Sequence, residues 1–372
     1  PYLSERQWGT VREDYSENSD AWNYLPFDHA HSRAYRWGED GLAGISDFFQ
    51  NLCFCIALWN GKDKILKERL YGLGISQGNH GEDAKELYYY LDATPTHSCL
   101  KMLYKYPQRE FPYAQLVEEN ARRKGDASQP EFELLDTGIF DDDRYWDVFV
   151  EYAKAGPDDI LMRVTVHNRG PEEAAIHLLP QLWFRNTWSW KGGKGKPELT
   201  ATKDGAISVA HPELGEFRLH CDKGCGWLLC DNETNARRLY GQHEATGYFK
   251  DAFHEYLIAG NQSAVNPEQT GTKAAAHYEL KVPAQGSTVI RLRLTKNATK
   301  PFADFDPVFV RRIREADEFY SELQKDITDA DARLVQRQAF AGMIWSKQFF
   351  YYDVPEWIKG DANQPSPPAD RK

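Results

Sequence analysis

The chain has 372 residues, enough for one large domain with an appendage or for two domains. Its net charge of −11 and the lack of a long basic run argue against nucleic acid and anionic membranes as partners, and no apolar window approaches membrane-spanning length. Aromatic residues are abundant (11 Trp, 20 Tyr, 19 Phe), which favours β structure or a stacking ligand site. Six cysteines, Cys53, Cys55, Cys99, Cys221, Cys225 and Cys230, are few for this length. They read as free thiols in a reducing compartment, so a cytoplasmic location is expected.

The stretch from Trp8 to Asp47 alternates rings, arginines, carboxylates and glycines with little apolar filling: Trp8-Gly9-Thr10-Val11-Arg12, then Tyr35-Arg36-Trp37-Gly38-Glu39-Asp40-Gly41. Flat rings beside charged hydrogen-bonding groups suit a polyhydroxylated ligand. The same residue types also suit an irregular segment pinned to a domain surface. Leu52 to Trp59 is an apolar run closed by Asn60-Gly61, a buried strand and tight turn, with Ile65 to Leu73 expected as the return strand. A polar glycine-bracketed loop, Gly78 to Asp83, leads into Leu87-Tyr88-Tyr89-Tyr90-Leu91, and a short helix is expected over Tyr113–Lys124.

From Tyr145 the alternation becomes regular. Trp146, Val148, Val150 and Tyr152 share one strand face, as do Met162, Val164 and Val166 in the next strand. Asn168-Arg169-Gly170-Pro171 reads as a turn and Ile176 to Phe184 as the strand returning from it. Alternation recurs at Tyr278, Leu280 and Val282, and at Ile290, Leu292 and Leu294. These features predict a mainly β fold, a large antiparallel sandwich rather than a parallel α/β sheet.

After Pro301 the period changes. Asp306-Pro307 reads as an N-cap followed by proline at the first helical position. Phe309, Ile313, Ala316, Tyr320, Leu323 and Ile327 then define one helix face. A second helix from about Asp331 carries Ala339 to Trp345, apolar nearly all round, and a helix of that kind needs other helices on several sides. Pro365, Pro367 and Pro368 mark the tail as a linker. The expected organisation is a β-sandwich over 1–300, a linker helix over 301–330, and over 331–372 the start of a helical domain with its tail.

Catalytic motifs are scarce. There is no Gly-x-Ser-x-Gly elbow, phosphate loop, His-Glu-x-x-His helix or dinucleotide fingerprint, and no cofactor is expected. Cys221, Cys225 and Cys230 lack the spacing of paired zinc knuckles and read as strand cysteines around a hairpin turn, Asp222-Lys223-Gly224. His80, Glu82 and Asp83 read as a surface turn rather than a metal corner, and Asp141-Asp142-Asp143 as a solvated turn. Arg185-Asn186-Thr187-Trp188-Ser189-Trp190 follows a strand directly, so Trp188 and Trp190 form either a sugar platform or a packing surface.

Trp8-Gly9-Thr10-x-Arg12, Tyr35-x-Trp37-x-x-Asp40-Gly41 and Gly78-x-His80-Gly81-x-Asp83 resemble the opening motifs of glycoside hydrolase family 63, which contains the processing α-glucosidase of N-glycan maturation. The likeness is closer to the bacterial glucosidases of that type. It extends through Leu182 to Trp188, Lys250-Asp251-Ala252-Phe253-His254, Ala264-Val265-Asn266-Pro267, Gly271 to Ala275 and Trp345-Ser346-Lys347-Gln348. The resemblance implies an N-terminal β super-sandwich joined by linker helices to an (α/α)6 barrel, and an inverting mechanism on α-glucosides or oligosaccharides. It implies that both catalytic acids come from the barrel, so no catalytic or metal residue is expected here. The chain is expected to stop near the barrel's first helix and to be inactive alone. Trp8, Arg12, Trp37, Asp40, Arg185, Trp188 and Trp190 are the expected substrate-binding or positioning residues. A stand-alone carbohydrate-binding module and the sandwich of a sugar phosphorylase remain alternatives.

Overall fold

A computed structural model describes residues 25–34, 40–79, 83–126, 128–189, 193, 195–296, 299–346, 353–360 and 367–370. The strands are β1 (Leu42–Ser46), β2 (Leu52–Trp59), β3 (Gly72–Leu73), β4 (Asp83–Ala84), β5 (Leu87–Ala93), β6 (Cys99–Pro107), β7 (Tyr145–Gly156) and β8 (Asp159–Asn168). They continue as β9 (Ala174–Phe184), β10 (Glu198–Ala201), β11 (Ile207–His211), β12 (Gly215–Cys221), β13 (Gly226–Cys230), β14 (Thr270–Gly271), β15 (Lys273–Val282) and β16 (Ser287–Thr295). The helices are α1 (Phe27–Ala30), α2 (Tyr113–Arg123), α3 (Ala236–Tyr240), α4 (Ala252–Leu257), α5 (Phe305–Leu323), α6 (Ala330–Trp345) and α7 (Val354–Lys359).

Two antiparallel sheets form the body. One has five strands in the order β1-β2-β9-β15-β13, the other nine in the order β14-β10-β11-β12-β16-β8-β7-β6-β5. The expected mainly β sandwich is therefore present. Its core follows from the two-residue period of the strands. Trp146, Val148, Val150 and Tyr152 of β7, Met162, Val164 and Val166 of β8, and Ile290, Leu292 and Leu294 of β16 enter one apolar cluster. Phe54 and Ile56 of β2, Ile176, Leu178 and Leu182 of β9, and Ala274 and Ala276 of β15 meet them from the other sheet. The buried Tyr152 hydroxyl donates to the carbonyls of Ala43 at 2.8 Å and Phe54 at 3.2 Å, so even this polar tip is satisfied across the sandwich. On the outer face of β7 and β8, Glu151 lies opposite Arg163 in register and accepts two bonds from it, at 2.8 and 2.9 Å.

Several expectations change. The run from Ile65 to Leu73 is not a return strand: only Lys67 bridges to Leu58, and only Gly72–Leu73 forms a strand. Lys67, Glu68 and Arg69 break the apolar alternation, yet all three are buried through ion pairs to other parts of the chain. The turns at 168–171 and 222–224 do not close hairpins, because β8 and β9, and likewise β12 and β13, lie in different sheets. Alternation encodes which face a residue takes, not which strand lies beside it. Helix α5 starts two residues early, capped at Asp304, whose carboxylate accepts from the Arg293 guanidinium at 2.5 Å; Pro307 falls inside the first turn. The tail contains a further short helix, α7.

The two long helices lie against the nine-stranded sheet. Phe305, Val308 and Phe309 of α5 pack on Ala153 and Leu161. Ala316 and Tyr320 of its predicted face are also buried, whereas Ile313 and Leu323 are exposed. Helix α6 covers β5, the edge strand: Trp345 is fully buried and stacks on Tyr90 at 5.3 Å, and Arg337 donates to Asp92 at 2.9 Å. Its other side leaves Leu334, Val335 and Met343 exposed, matching its apolar circumference. Among the described residues no helix is long and apolar enough to cross a membrane.

Candidate functional site

The outer face of the five-stranded sheet is covered by irregular chain and by α4. Leu66, Ala252, Phe253 and Val265 pack on Ala57, Leu179, Cys230 and Ala275 of the sheet. At one end of this interface the apolar contacts give way to charge. Because Ala274 points into the sandwich, its neighbour Lys273 points outward, between Trp183 of β9 and Cys230 of β13. Its ammonium donates to Glu68 at 3.0 Å and to the carbonyl of Lys250 at 3.3 Å. The Lys250 ammonium donates to Asp40 at 2.7 Å and to the carbonyls of Ala30 and Arg33, both at 2.6 Å. Asp40 also faces Arg69 at 3.2 Å.

Burial disfavours a charge on either lysine. It lowers the Lys250 pKa despite Asp40, whereas for Lys273 burial, though the largest single influence, is outweighed by Glu68, Cys230 and Asp40 together and the net shift is upward. Beside Lys250, Asp251 accepts from Ser32 at 2.6 Å and from Asn235 at 2.9 Å, and Arg238 donates to Ser32 at 2.9 Å. The His31 and His254 rings stack with centroids 4.4 Å apart. Burial first, then the charge on His254 and the nearby cations, pushes the His31 pKa down to about 2.

This layer opens onto an exposed rim built from the loops at the same end of the sheet. After β1, the Asp47 carboxylate accepts from the backbone of Phe49 at 3.0 Å and of Leu52 at 2.8 Å. Gln50 takes a left-handed φ of 58° and is buried. The tight turn displays Phe48 and Phe49, 59% and 50% exposed. Arg185, following β9, clamps it: its backbone N–H donates to Asn51 at 2.9 Å and its guanidinium to the Phe49 carbonyl at 3.1 Å. Asn186 and Asn232 then interlock their loops, Asn186 donating to the Asn232 carbonyl at 2.9 Å and Asn232 to the Phe184 carbonyl at 2.8 Å. The half-buried Trp188 indole N–H reaches Glu233 at 3.1 Å. Lys196 donates to Glu233 at 3.0 Å and to Asp231 at 2.9 Å, and its ammonium lies 5.9 Å from the Trp188 ring centre. The Lys250 backbone N–H donates to the Glu233 carbonyl at 3.0 Å, which joins the rim to the buried layer.

Of the expected positioning residues, Asp40 is a buried ion-pair partner, Arg185 is a backbone clamp and Trp188 stands on the rim. Trp8, Arg12, Trp37 and Trp190 lie outside the described residues, as do Glu39, His80 and Glu82. Reading the residues alone missed the Phe48–Phe49 pair and the inward role of Glu68 and Arg69. Two adjacent rings between the turn formers Asp47 and Asn51 were the available signal for the first. Elsewhere, carboxylate oxygens of Asp83, Glu131 and Glu133 approach one another within 4.8 Å, but the Lys85 ammonium already sits among them, 2.8 Å from Glu131 and 2.5 Å from Glu133.

Chemically, each cation of the buried layer has a carboxylate partner, with Asp40 serving both Lys250 and Arg69, which suits holding rather than proton transfer. On the rim, Asp231 and Glu233 share one ammonium instead of flanking an open gap, so this arrangement fits binding and orientation. The half-buried Trp188 ring thus lies next to the Glu233 carboxylate and the Lys196 ammonium, an apolar face beside charged hydrogen-bonding groups.

No protein-family profile matches the chain. It is 42% identical over 420 aligned positions to an uncharacterized protein of Saccharomyces cerevisiae, YMR196W, in a match that takes in all of this chain and 38% of that protein. The chain thus spans less than half the length of this curated relative. Among solved structures, a human-microbiome protein assigned as a kojibiose phosphorylase aligns at 9% identity and a TM-score of 0.29, over 81% of this chain and 28% of its own. A polysaccharide lyase aligns at 9% identity and 0.28, over 75% and 29%. An Escherichia coli K12 protein assigned as an aldose 1-epimerase aligns at 6% identity and 0.25, over 55% and 67%. All three names are those of carbohydrate-processing proteins; at these scores the likeness carries no inference about chemistry.

Proposed function

We propose that this chain is the β-sandwich part of a longer carbohydrate-active enzyme, an inverting α-glucosidase of the family 63 type acting on α-glucosides or oligosaccharides in the cytoplasm. In this reading residues 1–300 form the sandwich, 301–330 the linker helix, and 331–372 the first part of a helical barrel with its following segment. The barrel supplies the acid that protonates the leaving oxygen and the base that activates water, which inverting hydrolysis places about 6.5–9.5 Å apart. The sandwich supplies a rim for the sugar and a seat for the barrel. Neither nucleic acid nor membrane is a partner.

One observation carries the reading. Motif stretches that are far apart in the chain, around Asp40, Leu182–Trp188, Lys250–His254 and Gly271–Ala275, gather at one end of the five-stranded sheet. Two further features support it: the greater length of the yeast relative, and the apolar residues that α6 leaves uncovered. The exposed Phe48–Phe49 turn, clamped through the Phe49 carbonyl by Arg185, favours a second reading, a carbohydrate-binding module that works without a barrel.

The test compares this chain with one extended through the remaining length of the natural protein. The extended chain should release glucose with inverted anomeric configuration from malto-oligosaccharides or glucosyl-mannosides, and this chain should not. Hydrolysis by the 372-residue chain well above buffer would refute the assignment. Dependence of the extended chain on inorganic phosphate would move the sandwich to a phosphorylase. Sugar binding by the short chain in calorimetry, lost in Trp188→Ala, would favour the binding module.

A further inference from the structure

Strands β12 and β13 are consecutive in the chain but belong to different sheets, and only four residues, Asp222 to Cys225, separate them. Cys221 ends β12, paired opposite Leu292, and Cys225 directly precedes β13. The connection is tied down from both sides. The Asp222 backbone N–H donates to the Arg291 carbonyl and its carboxylate accepts from the Arg291 N–H, both at 3.1 Å. Lys223 donates through its ammonium to the Val289 carbonyl at 2.8 Å, and its own carbonyl accepts from the Tyr278 hydroxyl at 3.3 Å. These bonds fix the loop with both thiols turned to the same side, half-buried against the core. There both cysteines pack on the same core cluster as Tyr278, each close enough to the other and to the Tyr278 hydroxyl to perturb its ionisation.

We propose that Cys221 and Cys225 form a dithiol site that closes to a disulfide by exchange with a low-molecular-weight disulfide of the glutathione type, stapling the crossover between the two sheets. The Cys225 thiolate attacks one sulfur of the small disulfide and expels a thiolate, which takes up a proton. Cys221 then loses its proton and attacks the Cys225 sulfur of the mixed disulfide, expelling the second small thiol. Two protein thiols are oxidised and one small disulfide is reduced to two thiols, so atoms and electrons balance. Cys225 is the attacking sulfur because the neighbouring Cys221 thiol lowers its pKa, while Cys225 and burial together raise that of Cys221. The other cysteines differ. Cys53, Cys55, Cys99 and Cys230 are buried, and burial pushes the thiols of Cys55 and Cys99 up to about 12 and that of Cys230 upward as well.

The full 372-residue chain is equilibrated in glutathione buffers of increasing disulfide fraction, quenched with acid and alkylating agent, and weighed intact. The expected product is a species two hydrogens lighter than the all-thiol chain, its share rising with the disulfide fraction. Trypsin cuts after Lys223, so the linkage appears as peptide 219–223 joined to the peptide starting at 224. Cys225→Ser should abolish the lighter species and Cys230→Ser should keep it. Glutathione adducts without any lighter species would overturn the proposal. So would a lighter species that survives Cys225→Ser.

Discussion

Lowering the pH should unload the fold through His31, and the size of the effect follows from its surroundings. His31 is buried at the charged end of the five-stranded sheet with its ring stacked on His254, and its pKa falls from an unfolded value of 6.5 to about 2. Between these values the unfolded chain holds a proton on this ring that the folded chain does not. Stability from the neutral ring is therefore fully present above pH 6.5 and is lost as the pH falls below it, at ~1.4 kcal/mol per unit. At about pH 5 the loss from this one residue reaches ~2 kcal/mol. Burial also lowers the pKa of His254, His167, His177, His220 and His277, so the whole chain should lose stability more steeply than one proton predicts. His31→Phe keeps an aromatic ring on His254 and removes the titration. Urea melts followed by tryptophan fluorescence between about pH 5 and pH 7 should give a shallower pH dependence for His31→Phe, by about one proton. Parallel curves for the two proteins would refute the assignment of a neutral, buried His31.

Other perturbations probe the seams around the site. Lys250→Met removes a buried ammonium while keeping much of the stem, leaving the Asp40 carboxylate and the Ala30 and Arg33 carbonyls without it; a loss of ~3–5 kcal/mol is expected in denaturant melts. Adding Asp40→Asn to that variant should do much less damage than the two single changes added together, and strict additivity would show that the pair is not coupled. Trp345→Ala empties a fully buried site between α6 and Tyr90 and should destabilise by ~3–5 kcal/mol. Limited proteolysis of that variant should open cleavage sites within 330–345 first; unchanged protection there would mean that α6 is held by its other contacts.

How much of this could be read from the sequence depends on the range of each interaction. Strand faces are local: Val148, Val150, Val164 and Val166 are buried because their neighbours Phe149, Glu151, Arg163 and Thr165 leave them one side of a pleat. Helix faces are equally local, and Phe309, Ala316 and Tyr320 follow the expected spacing. Partnership is not local. Nothing in Asn168-Arg169-Gly170-Pro171 states that the chain leaves one sheet for the other, because a crossover and a hairpin use the same turn residues. The charged run Lys67-Glu68-Arg69 looks like surface by composition. It is interior because Glu86, Lys273 and Asp40 arrive from elsewhere to neutralise it. The motif resemblance reached Asp40, Arg185, Trp188 and Lys250 but not their division between buried layer and rim, which depends on the fold of the loops around them.

The seat of α6 also has a consequence for how the protein is made. Strand β5 emerges from the ribosome long before its cover: Asp92 and its partner Arg337 are 245 residues apart. At a synthesis rate of about 5–20 residues per second, the β5 edge waits roughly 10–50 s for Trp345 and Arg337 to arrive. Throughout that interval a tyrosine-rich strand presents unpaired backbone groups along one side, open to any other extended chain. Helix α6 is therefore also a timer, and cellular yield should depend on chaperones that shield nascent strands until it is complete.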